Sequence, residues 1–228
     1  GTPRNGEDGT VRVVRPQVSS LVFTDGTLTI DSDSGEITHS DGSFLLGEFS
    51  DKTYTDGDGN AYPYQVVTYT ADTISLGSGV VVNLTGKNAV SLRTRNHGSL
   101  TLGTTINVNG GNDPSNVGGT GKAGGFDGGA KDVDGNGPGK GKTKSVNNAQ
   151  GGGAAFGGQG KDWDFSYSQT YATPELANHL LGGSGGGGGD TYGGGAGGGA
   201  VELFAHGDGA LTITSGGRLH QHFLSASR

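Results

Sequence analysis

Two short acidic segments carry the side chains best suited to hold a cation. In the first, Asp132, Asp134 and Asn136 alternate with other residues and precede a glycine, which matches the first half of a D-x-D-x-N-G calcium loop. Carboxylates two residues apart can converge on one hard cation, and the glycine permits the turn. The twelfth position is Thr143 instead of glutamate, so an EF-hand is disfavoured. Calcium is the candidate cofactor here, and a solvated turn is the alternative.

A weaker version of this pattern occurs earlier in the chain. Asp56, Asp58 and Asn60 alternate with glycines, so the same reasoning makes them candidate calcium ligands. If either loop binds the ion, saturating calcium should raise the melting temperature, because a ligand that binds only the native state stabilises it.

Three histidines suggest a transition-metal pair, which is the less favoured interpretation. His220 and His222 lie two residues apart on one face of a predicted strand, and His206 precedes them. Neutral imidazoles bind such metals, but surface or stacked histidines are more common.

The charged residues of the predicted strands do not favour an enzyme. Arg93 and Arg95 share one face of a strand, and Glu202 is expected opposite Ser91 in an internal repeat. Glycoside hydrolysis needs two neighbouring carboxyl groups, and no pair spaced i, i+2 falls within a clear predicted strand. We therefore predict that the chain is not an enzyme. Among the functions considered for it, a β-helix polysaccharide-degrading enzyme ranks third, after a structural protein and a carbohydrate-binding module.

Aromatic side chains leave open a function as an adhesin or carbohydrate-binding module, which is the alternative to a structural role. Tyrosine and tryptophan rings can stack on sugars, although anchoring within the fold is their more common role. The candidates are Tyr62, Tyr64, Trp163, Tyr167 and Tyr171.

The composition is typical of an extracellular β protein. Glycine accounts for 50 of 228 residues, hydrophobic residues for 30%, and the net charge is −7. The negative charge argues against a nucleic-acid partner, and no apolar run is long enough for a membrane span. Cysteine is absent, which excludes disulfides. Position 1 is not Met, as expected after removal of a secretory signal peptide or in a trimmed chain.

Short β-prone runs flank a segment, 110–199, in which glycine is concentrated. Within these runs apolar residues alternate, and the gaps between runs contain glycine, asparagine or serine. The run AVSL at 89–92 recurs as AVEL at 200–203. The run GSLTL at 98–102 recurs as GALTI at 209–213, with the same offset of 111 residues. A constant offset indicates that one supersecondary unit is used twice.

The glycine-rich segment is expected to be ordered and to lie against these strands. Glycine at every third position, as at Gly183, Gly186 and Gly189, lets polyproline-II chains approach each other closely. A short helix is predicted over 174–181, because Thr173 suits the N-cap and a proline follows it.

Two stretches of the chain resemble glycine-rich, right-handed parallel β-helix proteins of bacterial surfaces. They are GKNAVSLRTRNHGSLTLGTTINVNGG at 86–111 and ATPELANHLLGGSGGGGGDTYGGGAGGGAVELFAHGDGALTITSGGRL at 172–219. In that loosely defined group, a strand pair leads into a long glycine-rich excursion and a returning coil. The resemblance covers 68–219 and implies secreted or surface-attached roles, structural or adhesive. The chain departs from the group in having few coils after the insertion.

We therefore predict an all-β fold, a right-handed parallel β-helix or solenoid. It should carry a long, polyproline-II-like glycine-rich insertion at 110–199 and one short helix. Residues 1–228 should form a single domain, in which 1–65 is an N-terminal β segment that acts as a cap or strand-exchange arm.

The function expected of such a fold is structural. Open ends of a solenoid present unpaired strand edges, and residues 1–23 are predicted to join each subunit to the next by strand addition. The protein is then a secreted subunit of an extracellular filament, surface layer or matrix. Its main partner is a second copy of itself, end to end, and a cell-surface or matrix polysaccharide is the second candidate partner.

Overall fold

The computed structural model describes residues 17–112, 116–143, 151–156, 170–171 and 179–220. Several residues that the sequence singled out lie outside these ranges. They are residues 1–16, Trp163, Tyr167, Thr173 and His222.

The regular secondary structure of the described residues consists of β-strands. These residues contain no helix that is long and apolar enough to cross a membrane. The strands are β1 Leu21–Asp31, β2 Glu36–His39, β3 Phe44–Leu46, β4 Glu48–Thr55, β5 Ala61–Ala71, β6 Ile74–Thr85, β7 Ala89–Thr94, β8 Leu100–Leu102, β9 Thr105–Asn107, β10 Val201–Phe204, β11 Leu211–Ile213 and β12 Arg218–His220.

These strands form two mixed sheets and one small parallel sheet. The larger sheet has the order β11-β8-β6-β1-β2-β3. Strands β1, β6, β8 and β11 are parallel to one another, whereas β2 runs antiparallel to both of its neighbours, β1 and β3. The second sheet has the order β10-β7-β5-β4, in which β4 and β5 are an antiparallel hairpin. Strands β9 and β12 pair in parallel.

The predicted right-handed parallel β-helix is therefore wrong, because tight turns reverse the chain in its first third. After β1, Gly35 adopts a φ of +72° and its amide donates to the Asp31 carbonyl. A second reversal, at Gly42 with a φ of +92°, returns β3 along β2. Such turns create antiparallel hairpins, whereas parallel neighbours need long crossovers. The predicted short helix lies mostly outside the described residues, and its last residues, 179–181, are not helical.

The internal repeat is confirmed by the strand register. Val201 of β10 lies opposite Val90 of β7, and Leu211 of β11 lies opposite Leu100 of β8. Both pairs are 111 residues apart, so the repeated runs are hydrogen-bonded neighbours in the two sheets. The glycine-rich segment leaves the sheets after β9 and returns to them at β10.

The two mixed sheets enclose one apolar core. Alternate residues of β1, β6 and β8 pack against alternate residues of β5, β7 and β10. The largest fully buried side chain is Tyr69, whose hydroxyl donates to the Asp31 carbonyl at 3.2 Å. This contact satisfies the buried phenol, as burial of a polar group requires. The core also includes Leu21, Leu28, Ile30, Ile37, Ile74, Leu76, Leu92, Leu100, Leu102 and Leu203.

A layer built from backbone lies against part of the outer face of the second sheet, around Ala89. This glycine layer is the described part of 110–199. In its central tract, residues 182–189, every third residue donates a hydrogen bond to one neighbouring tract and accepts one from another. The donors Gly183, Gly186 and Gly189 bond the carbonyls of Gly198, Gly195 and Tyr192, and their own carbonyls accept from Phe126, Gly129 and Asp132. A repeat of three residues is that of a polyproline-II chain.

Absent side chains allow these tracts to touch. A Cβ on Gly185 would overlap the Asp127 carbonyl, and a Cβ on Gly197 would overlap the Gly183 carbonyl. The layer is joined to the sheet through Leu180, which packs against the buried cluster of Val66, Ala89 and Ala200. The glycine layer therefore depends on backbone hydrogen bonds, whereas the sheets depend on buried side chains.

Candidate functional site

The first predicted calcium loop lies in the glycine layer, where its acidic side chains have separate partners. Asp134 accepts hydrogen bonds from Lys142 Nζ at 2.8 Å and from the Thr143 amide at 2.9 Å. Partial burial raises the pKa of Asp134, but these hydrogen bonds and the lysine charge outweigh it, so the net pKa is lowered. Asp134 therefore closes the 134–143 turn.

The other two candidate ligands of this loop are held by the backbone. Asp132 has a φ of +58°, and its amide donates to the Gly189 carbonyl. The amide and side chain of Asn136 both donate to the Asp127 carbonyl, at 3.1 and 3.2 Å. Across the described ranges, no three His, Asp or Glu side chains are grouped so that they could hold a metal ion. Calcium binding at this loop stays a prediction.

The second predicted calcium loop is the turn of the β4–β5 hairpin. The Asp56 carboxylate accepts from the amides of Asp58 and Asn60, from the Asn60 side chain and from Tyr62 Oη, at 2.8–3.1 Å. The hydrogen bond from the Asn60 side chain is the largest influence and lowers the pKa of Asp56. An Asp side chain that bonds nearby amides in this way is a turn former. Asp56 thus organises the hairpin.

The aromatic residues near this hairpin anchor the glycine layer. The ring of Tyr54 lies 5.9 Å from that of Tyr171, and Tyr62 lies 6.4 Å from Phe126. The Tyr171 hydroxyl donates to the Gly182 carbonyl at 2.8 Å, and burial raises the pKa of Tyr171 well above its usual range. The candidate sugar-stacking rings Tyr62, Tyr64 and Tyr171 therefore contact the protein itself.

A charged cluster lies on the outer face of β7 and β10. The predicted placement of Glu202 opposite Ser91 is confirmed, and the Ser91 hydroxyl donates to the Glu202 carboxylate at 2.5 Å. Arg93 bonds the same carboxylate at 2.7 Å and lies over the Phe204 ring at 5.1 Å. The positive charge of Arg93 and the negative charge of Glu202 therefore form an ion pair. Arg95 pairs instead with Asp72 at 2.7 Å.

The predicted histidine pair is not brought together with His206 by any described contact. His206 packs against His97, with ring centroids 5.9 Å apart, and the His206 amide donates to the Thr94 hydroxyl. His220 ends β12, and its partner in the prediction, His222, lies outside the described residues.

The two ends of the stack of parallel strands differ. At one end, β10, β11 and β12 each pair on one side only within the described part of the chain. Thr212 and Ile213 of β11 are exposed. At the other end, the edge strand β4 carries the exposed charges Asp51 and Lys52. Charges on an edge strand discourage pairing with another chain. Arg218 of β12 is exposed, so β10 and β11 are the less protected strands of this edge.

Sequence reasoning missed a groove on the glycine layer. It has a volume of about 720 Å³ and lies between the tract 151–154 and the tract 189–196. Tyr192, whose side chain is 61% exposed, stands at its rim. The only sequence signal was one tyrosine between glycine runs, which does not indicate a concave surface.

Comparison with models of known protein families, with curated proteins and with solved structures finds no match to this chain.

Proposed function

We propose that the protein is a structural subunit that assembles with copies of itself into an extracellular filament, surface layer or matrix. The observation that carries the proposal is the open edge formed by β10, β11 and β12. Unpaired strand edges add further strands readily. A repeated head-to-tail contact of this kind builds an open polymer when its rotation does not close a ring.

The difference between the two ends supports a directional contact. In β10, Val201 and Leu203 are buried and Glu202 is already paired with Arg93, so β10 itself offers no free charge. The opposite edge, β4, exposes Asp51 and Lys52. Because the two edges differ in exposed charge, a strand from another copy should add to the β10–β12 edge and not to β4. The contact would then join two different surfaces, and it is therefore heterologous.

The joining segment of the proposal is the N-terminal arm 1–16, instead of 1–23 as the sequence suggested. Leu21 is 1% exposed and pairs with Ile74 in the middle of the larger sheet, so residues 21–23 belong to the folded body. Residues 11–14, Val-Arg-Val-Val, have the high β propensity that strand addition needs.

The test compares assembly of three full-length proteins by analytical ultracentrifugation and negative-stain electron microscopy. Thr212→Lys places a charge on the open edge, and we expect it to shift the protein towards monomer. Thr53→Lys makes the same change on the charged edge β4 and should assemble like the wild type. A wild-type protein that stays monomeric at high concentration contradicts the proposal, and so does normal assembly of Thr212→Lys.

Deletion of residues 1–16 tests the joining segment separately. The deletion should abolish assembly and leave unchanged the near-ultraviolet circular dichroism, to which buried aromatic residues such as Tyr69 contribute. If the protein that lacks residues 1–16 still forms polymers, the proposed role of the arm is wrong. The proposal that assembly uses the open edge would not be affected.

A further inference from the structure

The groove on the glycine layer has the size and walls of a ligand site. Its volume of about 720 Å³ lies within the range of about 300–1,000 Å³ that is usual for small-molecule sites. Its floor and walls come from the tracts around Gly152, Gly186 and Gly195. Three separate parts of the sequence therefore meet in one concavity.

The walls of this groove are fixed by backbone hydrogen bonds. The Gly186 amide donates to the Gly195 carbonyl at 2.9 Å, and the Gly187 amide donates to the Gly152 carbonyl at 3.0 Å. Both bonds tie the floor to the walls, so little conformational entropy is left to lose on binding. Pre-organisation of this kind favours affinity.

Packing within the layer does not require glycine at the floor. A Cβ on Gly186 would come no closer than 3.5 Å to the Gly152 carbonyl oxygen, which is ordinary contact. A Cβ on either neighbour, Gly185 or Gly187, would instead overlap a backbone carbonyl. The missing side chain at Gly186 therefore keeps the groove deep.

The rim supplies one aromatic face and a few polar groups. Tyr192 is largely exposed, and beside it the Thr191 hydroxyl donates to the Asp190 carboxylate at 2.9 Å. A pyranose ring presents C–H groups on its faces and hydroxyls at its edge, so it can stack on a tyrosine while its hydroxyls bond to neighbouring polar groups. Asp190 is the single charged side chain among the described lining residues. The groove therefore suits an uncharged ligand better than an anionic one.

We propose that this groove binds a segment of a neutral polysaccharide, with one sugar ring stacked on Tyr192. The sugar edges bond to the glycine backbone and to Thr191. The inference is independent of the assembly proposal, since the groove and the open edge of β10–β12 share no residue.

The test measures binding of soluble dextran, mannan and xyloglucan, with alginate as the anionic comparison, by isothermal titration calorimetry. The wild type should bind at least one of the three neutral polymers and bind alginate more weakly. Tyr192→Ala should weaken that binding about tenfold, which corresponds to about 1.4 kcal/mol. Gly186→Val should weaken it in the same direction by filling the floor.

Val133→Ala is the matched control, because Val133 is an exposed apolar residue of the same layer that does not line the groove. It should bind like the wild type. Absence of binding to all three neutral polymers overturns the inference, and so does unchanged binding by Tyr192→Ala, which alters an exposed residue and therefore leaves the fold intact. Repeating the titration in the Thr212→Lys background separates this result from any failure of assembly.

Discussion

The sheets and the glycine layer are held together by different physical means. In the sheets, side chains such as Leu92 and Tyr69 are buried and fill the space between two strand faces. In the layer, tracts such as 182–189 have almost no side chains and bond backbone to backbone with a repeat of three residues. The comparison shows that a chain with 30% hydrophobic residues can use a small apolar core and extend it with a layer that is held mainly by backbone hydrogen bonds and by a few buried side chains such as Tyr171 and Leu181.

The largest expected effect is on the sheets. Leu92 is 1% exposed within the core, so Leu92→Ala should lower the free energy of unfolding by about 2–5 kcal/mol, through lost burial and a cavity. Leu46→Ala is the matched control, because Leu46 is 47% exposed, and it should change stability by less than about 0.5 kcal/mol. Urea denaturation monitored by circular dichroism measures both. Equal effects of the two substitutions would contradict the assigned core.

The stability of the glycine layer should fall when a single methyl group is added at a closely packed glycine. Gly185→Ala should destabilise the layer by up to about 3 kcal/mol, because its Cβ would overlap the Asp127 carbonyl. Cleavage by a nonspecific protease within 182–189 should therefore increase while the sheets stay folded.

The neighbouring glycine provides the control for this prediction. Gly186→Ala has room for its Cβ and should be neutral, or more stable by about 0.4–1 kcal/mol through lower entropy of the unfolded chain. Similar proteolysis of the two alanine variants would show that the tracts are not packed as described.

The charged cluster on the outer face of the second sheet should contribute less. Ser91 is 1% exposed, and its hydroxyl donates to the Glu202 carboxylate, which Arg93 also contacts. Ser91→Ala should cost about 1.5 kcal/mol, the usual contribution of a hydrogen bond to a charged group. Ser50→Ala, at a half-buried position of the same sheet, is the comparison in thermal melts. A loss no greater than that of the comparison would contradict the role of this hydrogen bond.

The smallest effect concerns the hairpin turn and depends on pH. Hydrogen bonds, first among them that from Asn60, hold the pKa of Asp56 below its ordinary value. A lowered native pKa means that the stabilisation is complete above the unfolded pKa, about 3.9, and is lost as pH falls through the lower native value. Asp56→Asn should therefore destabilise the hairpin at neutral pH, and the difference from wild type should shrink in acid. A difference that is constant with pH would contradict this account.

The pairing of the repeated runs was predictable from the sequence, whereas the antiparallel direction of β2, β3 and β4 was not. The 111-residue repeat placed Val90 beside Val201 and Ser91 beside Glu202, because similar runs at one offset bury the same faces. The β4–β5 hairpin was missed because the turn around Asp56 carries the residues of a cation loop as well as those of a tight turn. Composition alone cannot separate these two roles.

A glycine also obscures the strand boundaries. Asp25-Gly26 has the composition of a tight turn, but Gly26, with a φ of +90°, lies within the continuous strand β1. The register shift between Phe23 and Asp25 marks an irregularity there, beside the glycines of β6. Glycine in a strand can mark a bulge as well as a turn, and only the pairing with β6 decides between them.

The groove was beyond sequence reasoning because its walls are backbone. Residues around Gly152, Gly186 and Gly195 lie in separate tracts, and nothing in a run of glycines states which runs become neighbours. Side-chain patterns predicted the core of the sheets, but the layer contains few side chains that could form a pattern. Asp134 and Asp56, which the sequence offered as candidate calcium ligands, both close turns, and calcium binding by them stays a prediction.

Amide hydrogen–deuterium exchange tests most directly whether the glycine layer is ordered by its own backbone. Mass spectrometry of peptides covering 182–189 and β7 should show slow exchange in both, because Gly183, Gly186 and Gly189 donate to carbonyls of the neighbouring tract. The exposed turn at 215–216 should exchange fast and serves as the internal reference. Exchange of 182–189 as fast as that of 215–216, with β7 still protected, would contradict the account.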